Sequence, residues 1–242
     1  MSTPKVKRAI LATGGMDSTV LIYRSVREDG IMPRIITVNY GQAAFAKQVE
    51  CLCYHMDTLN IPRRNLHVID IGYYNAKPGL FNGKKPEDPQ SDDPNGDLLF
   101  TEQKMRYDST FIEGRNLIMV SYAMAYCSAN KIDELQVGYL RGPAEWENQR
   151  AYKMFTGDNS PQFVDLMNMM AFMGFSHQVR IRAPYYEERA SKRDVAMQGA
   201  SLGVNFDMTN SCYWPEPCGE CDNCILRKDA LAFVLHDGEE PV

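Results

Sequence analysis

Seven residues near the amino terminus, Thr13-Gly14-Gly15-Met16-Asp17-Ser18-Thr19, bring two glycines, three hydroxyls and a carboxylate into one short run. Gly14 and Gly15 place no side chain between the backbone and a ligand. N–H groups at the start of a following helix, together with those hydroxyls, form an anion cradle suited to phosphate. The run matches neither G-x-G-x-x-G nor G-x-x-x-x-G-K-S/T, and its bland alternative is a plain strand-to-helix turn. A second cluster lies near the other end, where Cys212, Cys218, Cys221 and Cys224 are spaced C-x5-C-x2-C-x2-C. Each C-x2-C step brings two thiolates to one small cation, and four thiolates close a tetrahedral zinc site. With no open coordination position, such a metal is structural, one ion per chain. An iron–sulfur cluster is the rival occupant, and disulfides are disfavoured in a reducing compartment. Cys51, Cys53 and Cys127 fall in helical patterns and read as core or surface thiols. His55, His67, His177 and His236 lie in unrelated contexts, so no free general base stands out.

The elements that must position these residues alternate. A strand-like run, Ala9-Ile10-Leu11-Ala12, stops at Thr13, and Asp17-Ser18-Thr19 supplies cap residues for a helix reading from Thr19 to Arg27. Strands are expected over 34–40, 66–71, 134–138 and 178–182, and helices over 45–59, 116–129, 161–175 and 191–202. Residues 75–106, rich in Pro, Gly, Asp and Lys, are too long for an ordinary connection and read as a lid, a partner-binding loop or disorder. This alternation predicts an α/β fold, a doubly wound parallel sheet with helices on both faces. Ligands in such folds bind at the carboxyl ends of the strands, where the Gly14-Gly15 loop lies. The 242 residues, 44% of them hydrophobic, fit one domain over 1–242 that includes the 75–106 loop and a knuckle at 211–226. A net charge of −5 disfavours nucleic acid as a direct partner. No apolar run approaches ~20 residues, and no export signal follows Met1, so the cytoplasm is the expected compartment.

The loop resembles the S-G-G-x-D-S loop of enzymes that split ATP to AMP and pyrophosphate, with Thr13 in place of the first serine. Paired with the cysteine knuckle, it resembles the 7-cyano-7-deazaguanine synthase (QueC) family. Tyr40-Gly41-Gln42 followed by Lys47, Gly114-Arg115-Asn116, Ala183-Pro184 with Ser191-Lys192, Ser211-Cys212-Tyr213 and Cys224-Ile225-Leu226-Arg227 are similar to that family's segments. The resemblance covers most of residues 8–232. It implies an adenine-nucleotide alpha-hydrolase-like fold and an AMP-forming carbon–nitrogen ligase. Its substrates would be ATP with Mg²⁺, a 7-deazaguanine carboxylate and ammonia, and its assembly a homodimer. ATP would be bound along Leu11, Ala12, Thr13, Gly14, Gly15, Met16, Asp17, Ser18, Thr19, Val20 and Leu21. Asp17, Ser18, Arg115 and Lys192 would serve catalysis, Arg115 and Lys192 by offsetting charge on the leaving pyrophosphate. Gln42, Asn116 and Asp158 would meet the acceptor, and Cys212, Cys218, Cys221 and Cys224 the zinc. The chain departs from the family over Tyr139 to Gln162, where Asp158-Asn159-Ser160-Pro161 keeps an Asp and a Pro but loses a Cys-Arg pair. The alternatives are a related ligase adenylating another carboxylate, in nucleic-acid modification or defence, a tRNA-modifying enzyme of the same superfamily, or a zinc-knuckle binding module with a vestigial loop.

Overall fold

The computed structural model describes residues 6–71, 114–140 and 157–235. Five parallel strands form one sheet in the order β3-β2-β1-β4-β5: β1 (Arg8–Leu11), β2 (Arg34–Asn39), β3 (Leu66–Asp70), β4 (Glu134–Val137) and β5 (Arg180–Arg182). The helices are α1 (Met16–Arg27), α2 (Phe45–Thr58), α3 (Arg115–Ala129), α4 (Pro161–Gly174), α5 (Pro184–Glu187), α6 (Lys192–Ser201) and α7 (Asp222–Leu235), with one-turn 3-10 helices at Arg63–Asn65, Gly157–Asn159 and Phe206–Met208. The expected helix over 116–129 and the rest of the alternation are present, with ends moved by at most two residues except at the start of α1, which lies three residues earlier than expected. The 75–106 segment and His236 lie outside the described residues, as does 141–156 within the divergent stretch.

Period-two burial explains the layers. Ala9, Leu11, Ile36, Val38, Leu135 and Val137 point to one face and pack under α3 and α4 with Val120, Met124 and Met167. Ile10, Ala12 and Ile35 point to the other, under α1 and α2 with Val20, Leu21, Leu52 and Met56. Both faces are covered, as a parallel sheet requires. Each fully buried side chain such as Ile10 or Leu135 contributes about 1.5–3 kcal/mol. The strand order reverses between β1 and β4, which opens a crevice at their carboxyl ends.

Candidate functional site

The phosphate-type loop lies in that crevice. Gly15 is the N-cap of α1, without a side-chain cap, and the helix begins at Met16. Asp17, Ser18 and Thr19 therefore sit inside the first turn, a correction to their expected capping role. The loop is closed from within instead: Ser18 Oγ accepts the Thr13 N–H at 3.3 Å and donates to the Gly15 carbonyl at 3.3 Å. Gly14 adopts φ +71°, and a Cβ there would stand 2.5 Å from the Gln48 carbonyl oxygen of α2. Only glycine meets both conditions. Leu11, Ala12, Met16, Val20 and Leu21 are buried in the cores. Their side chains anchor the loop, which narrows the expected ATP-binding run to the Thr13–Thr19 stretch and mainly to its backbone. Within it, Thr13 and Asp17 are partly exposed.

Asp17 and Lys192 come together from 175 positions apart, with Lys192 Nζ 2.5 Å from Asp17 Oδ2. Among the described residues Asp17 Oδ1 is buried without a hydrogen-bond partner, and the Asp17 carbonyl accepts from the Tyr185 hydroxyl at 2.9 Å. Lys192 is fixed as the first residue of α6 by a capping box. Asp194 N–H donates to Ser191 Oγ at 3.2 Å, and Ser191 N–H donates to Asp194 Oδ2 at 2.7 Å. A free carboxylate oxygen beside an ammonium provides a cation ligand and a phosphate counter-charge side by side.

The segment leading to the knuckle docks on the loop. Asn210 N–H donates to the Gly14 carbonyl at 2.9 Å, and Met16 N–H donates to Ser211 Oγ at 3.3 Å. Asn210 then clasps the knuckle itself, accepting from Cys212 N–H and donating to the Trp214 carbonyl, each at 3.0 Å. From α7, Arg227 reaches the Thr209 hydroxyl and the Phe206 carbonyl, both at 2.6 Å. His55 of α2 holds the Met208 carbonyl at 2.9 Å through Nε2, which fixes Nε2–H as donor, and accepts from Tyr23 at Nδ1. Burial drives the His55 pKa down from 6.5 to about 4, so this imidazole is neutral and structural.

The four knuckle sulfurs lie within 4.8 Å of one another, with Cys212–Cys221 and Cys218–Cys224 each 4.0 Å apart. Backbone N–H groups of Cys218 and Cys221 donate to the sulfurs of Cys212 and Cys218 at 3.4 and 3.3 Å. A hydrogen bond from the Cys221 thiol lowers the Cys212 pKa, and the same contact raises that of Cys221. Cys51 and Cys127 are buried thiols apart from this cluster, and Cys53 is partly exposed; burial pushes Cys127 up to about 12.

The predicted acceptor residues part company. Gln42 is a turn clasp: its Oε1 accepts from Tyr40 N–H, and its Nε2 donates to the Val38 carbonyl and Gln48 Oε1. Both amide hydrogens of Gln42 are spent in this turn and its side chain is buried, so the amide braces the turn. Asn116 occupies the first turn of α3 beside Arg115. Burial works against the Arg115 charge, but the neighbouring Tyr40, Tyr213 and Asp158 outweigh it, and Tyr40 hydrogen-bonds the guanidinium. Arg115 is thus set among tyrosines and Asp158, whereas Lys192 is the cation on Asp17. Tyr139, just past β4, neighbours the same Asp158 and Arg115. A Cβ on Gly138 would lie 3.3 Å from the Ser18 nitrogen, so the end of β4 abuts the phosphate loop. Sequence reading missed Tyr139, Tyr185 and the loop-bracing roles of Asn210 and Ser211. Only the Ser211-Cys212-Tyr213 motif hinted at the last.

Comparisons with known proteins agree with this geometry. A family model described as "Queuosine biosynthesis protein QueC" matches residues 7–235. The chain is similar to a 7-cyano-7-deazaguanine synthase of Hahella chejuensis, with 30% identity over 232 residues, 95% of this chain and 89% of the relative. It is also similar to enzymes of the same name from Leptospira interrogans, 28% identical over 92% of this chain and 85% of the relative, and Methanococcus maripaludis, 28% identical over 93% and 94%. Among solved structures, the U34-tRNA thiolase NcsA from Methanococcus maripaludis, with its 4Fe-4S cluster, superposes with a TM-score of 0.50 at 13% identity, covering 97% of this chain and 67% of that one. That likeness bears on the fold alone, a parallel α/β sheet with flanking helices.

Proposed function

The chain belongs to the QueC family of queuosine biosynthesis proteins, and on that premise we propose that it is an ATP-dependent, AMP-forming ligase that makes 7-cyano-7-deazaguanine from 7-carboxy-7-deazaguanine and ammonia. The observation that carries this reading is the braced Thr13–Thr19 loop with the Lys192–Asp17 pair, one face of a crevice whose other face holds Arg115 and Tyr139. A carboxylate resists attack by an amine because its charge and resonance repel the nucleophile. Transfer of AMP to it forms an acyl–phosphate bond and releases pyrophosphate. Ammonia then attacks the carbonyl carbon, AMP leaves, and the amide remains after loss of a proton. A second ATP adenylates the amide oxygen, releasing pyrophosphate and one amide proton, and departure of AMP with the other amide proton leaves the C≡N bond. The protein's task is orientation and charge neutralisation. The loop N–H groups cradle the phosphates, and Lys192 offsets charge on the departing pyrophosphate. Asp17 Oδ1, buried and unpartnered, fits a Mg²⁺ ligand, which would neutralise phosphate charge.

The knuckle fits one zinc ion. Thiolates at about 2.3 Å from a single tetrahedral ion stand about 3.8 Å from each other, close to the 4.0 Å pairs here, whereas a multi-iron cluster spreads its cysteines wider. The ion would hold the knuckle and take no part in the chemistry. We further read 1–242 as one domain, working in the cytoplasm as a homodimer without nucleic acid as a direct partner. Ammonia would come from solution or from a partner protein. No helix among the described residues is long and apolar enough to cross a membrane. The test is incubation with ATP, ammonium and 7-carboxy-7-deazaguanine, read by mass spectrometry. Two AMP per nitrile is the expected result. AMP without amide or nitrile would overturn the acceptor, and ADP as product would overturn the mechanism.

A further inference from the structure

The nucleotide reading leaves two groups in the crevice without a purpose. The Tyr139 hydroxyl is buried and, among the described residues, has no hydrogen-bond partner. Arg115 brings a full positive charge into the same neighbourhood, with Tyr40, Tyr213 and Asp158 around it. A phenol cut off from water with no acceptor is destabilising. Burial keeps that phenol protonated, so it can donate to a ligand oxygen and brings no negative charge of its own. A guanidinium has only donors. A hydroxyl able to donate, with the Arg115 guanidinium and Asp158 in its electrostatic neighbourhood, suits a group that accepts at two oxygens and carries negative charge, a carboxylate. The surroundings are flat and aromatic: Tyr139 packs against Phe163 with ring centroids 6.3 Å apart, and Tyr40 and Tyr213 flank the guanidinium. Such walls suit a planar ring. Because a Cβ on Gly138 would crowd the Ser18 nitrogen at 3.3 Å, a carboxylate held at Tyr139 is next to the phosphate loop that must activate it.

Resting on the function proposed above, we propose that the Tyr139 hydroxyl and the Arg115 guanidinium together hold the carboxylate of the acceptor, and that Tyr139 is a specificity-determining residue favouring an aromatic carboxylate over its neutral amide. The amide is the product of the first half of the reaction, so a site tuned to the charged group binds the starting acid more firmly than the intermediate.

The test is Tyr139→Phe, which keeps the ring and its packing on Phe163 and removes only the hydroxyl. Calorimetric titration with 7-carboxy-7-deazaguanine should show affinity weakened about tenfold, and KM for that acid should rise in step. KM for ATP should stay within about twofold, affinity for the amide should fall by less than that for the acid, and Tm of the free variant should not drop. Equal affinity of wild type and variant for the acid would overturn the role of Tyr139 while leaving the ligase reading intact, as would equal losses for acid and amide. A wild-type protein that binds no 7-deazaguanine carboxylate would overturn the ligase reading and this inference with it.

Discussion

Among single residues, Asp17, Lys192 and His55 separate charge used for chemistry from polarity used for support. The Asp17–Lys192 pair is partly open to solvent and retains an unpartnered carboxylate oxygen. His55 has both nitrogens spent on Tyr23 and Met208. Its folded pKa is depressed from 6.5 to about 4 by burial, so the unfolded chain takes up the proton first as pH falls. The stability this implies is fully present above pH 6.5 and is lost as pH falls toward 4. That gap corresponds to about 3 kcal/mol at most. Urea unfolding at pH 7 and pH 4.5 should show the margin between wild type and His55→Leu shrinking by about 1–3 kcal/mol at the lower pH; a margin independent of pH would refute this account. The use of Asp17 and Lys192 was expected from the resemblance, but their pairing across 175 positions was not legible. His55 sits in an ordinary helical pattern, and its partner Met208 is 153 positions away. Gln42 shows the same limit, since the hold of the surrounding turn on its amide is not written in a string of letters.

At the level of elements, the strands were legible because β-branched and apolar residues crowd them, and α2, α3 and α4 because their apolar spacing is helical. The start of α1 was misplaced, since Asp17-Ser18-Thr19 has the composition of a cap while Gly15 fills that position without a side chain. Helix α7 was not foreseen: its buried residues are Cys224 and Ala230, a stripe too sparse to mark a period. The knuckle itself was plain in its spacing, but its docking on the loop was not, because Ser211 and Met16 stand 195 positions apart. That docking makes the knuckle a brace for the Thr13–Thr19 loop, which we propose holds ATP. Ser211→Ala leaves the Met16 N–H without its partner, a loss of about 1 kcal/mol. KM for ATP should rise about fivefold with the zinc content unchanged at one per chain. Cys221→Ser should lose the metal and raise KM for ATP further. A Cys221→Ser protein that lacks metal yet keeps the wild-type KM for ATP would show that the brace is idle.

For the molecule as a whole, α4 carries the sign of assembly. Val164, Met167 and Ala171 face the sheet. Leu166, Met169, Met170 and Met173 repeat at helical spacing on the outside with exposures of 58, 59, 49 and 74%, and Phe172 beside them is 73% exposed. A helix apolar on both sides is built to be covered, and the homodimer proposed above would cover it. Replacing Met169 and Met170 by Glu should convert a dimer to a monomer in sedimentation velocity while leaving the fold intact; an unchanged sedimentation coefficient would place the dimer contact elsewhere. A different whole-chain consequence follows from the hydrogen bonds that join Gly14 and Met16 to Asn210 and Ser211. Along the chain the loop precedes its brace by nearly 200 residues. A growing chain therefore holds the loop unbraced until Asn210 and Ser211 have been made, so the ordering of the loop waits on residues translated long after it.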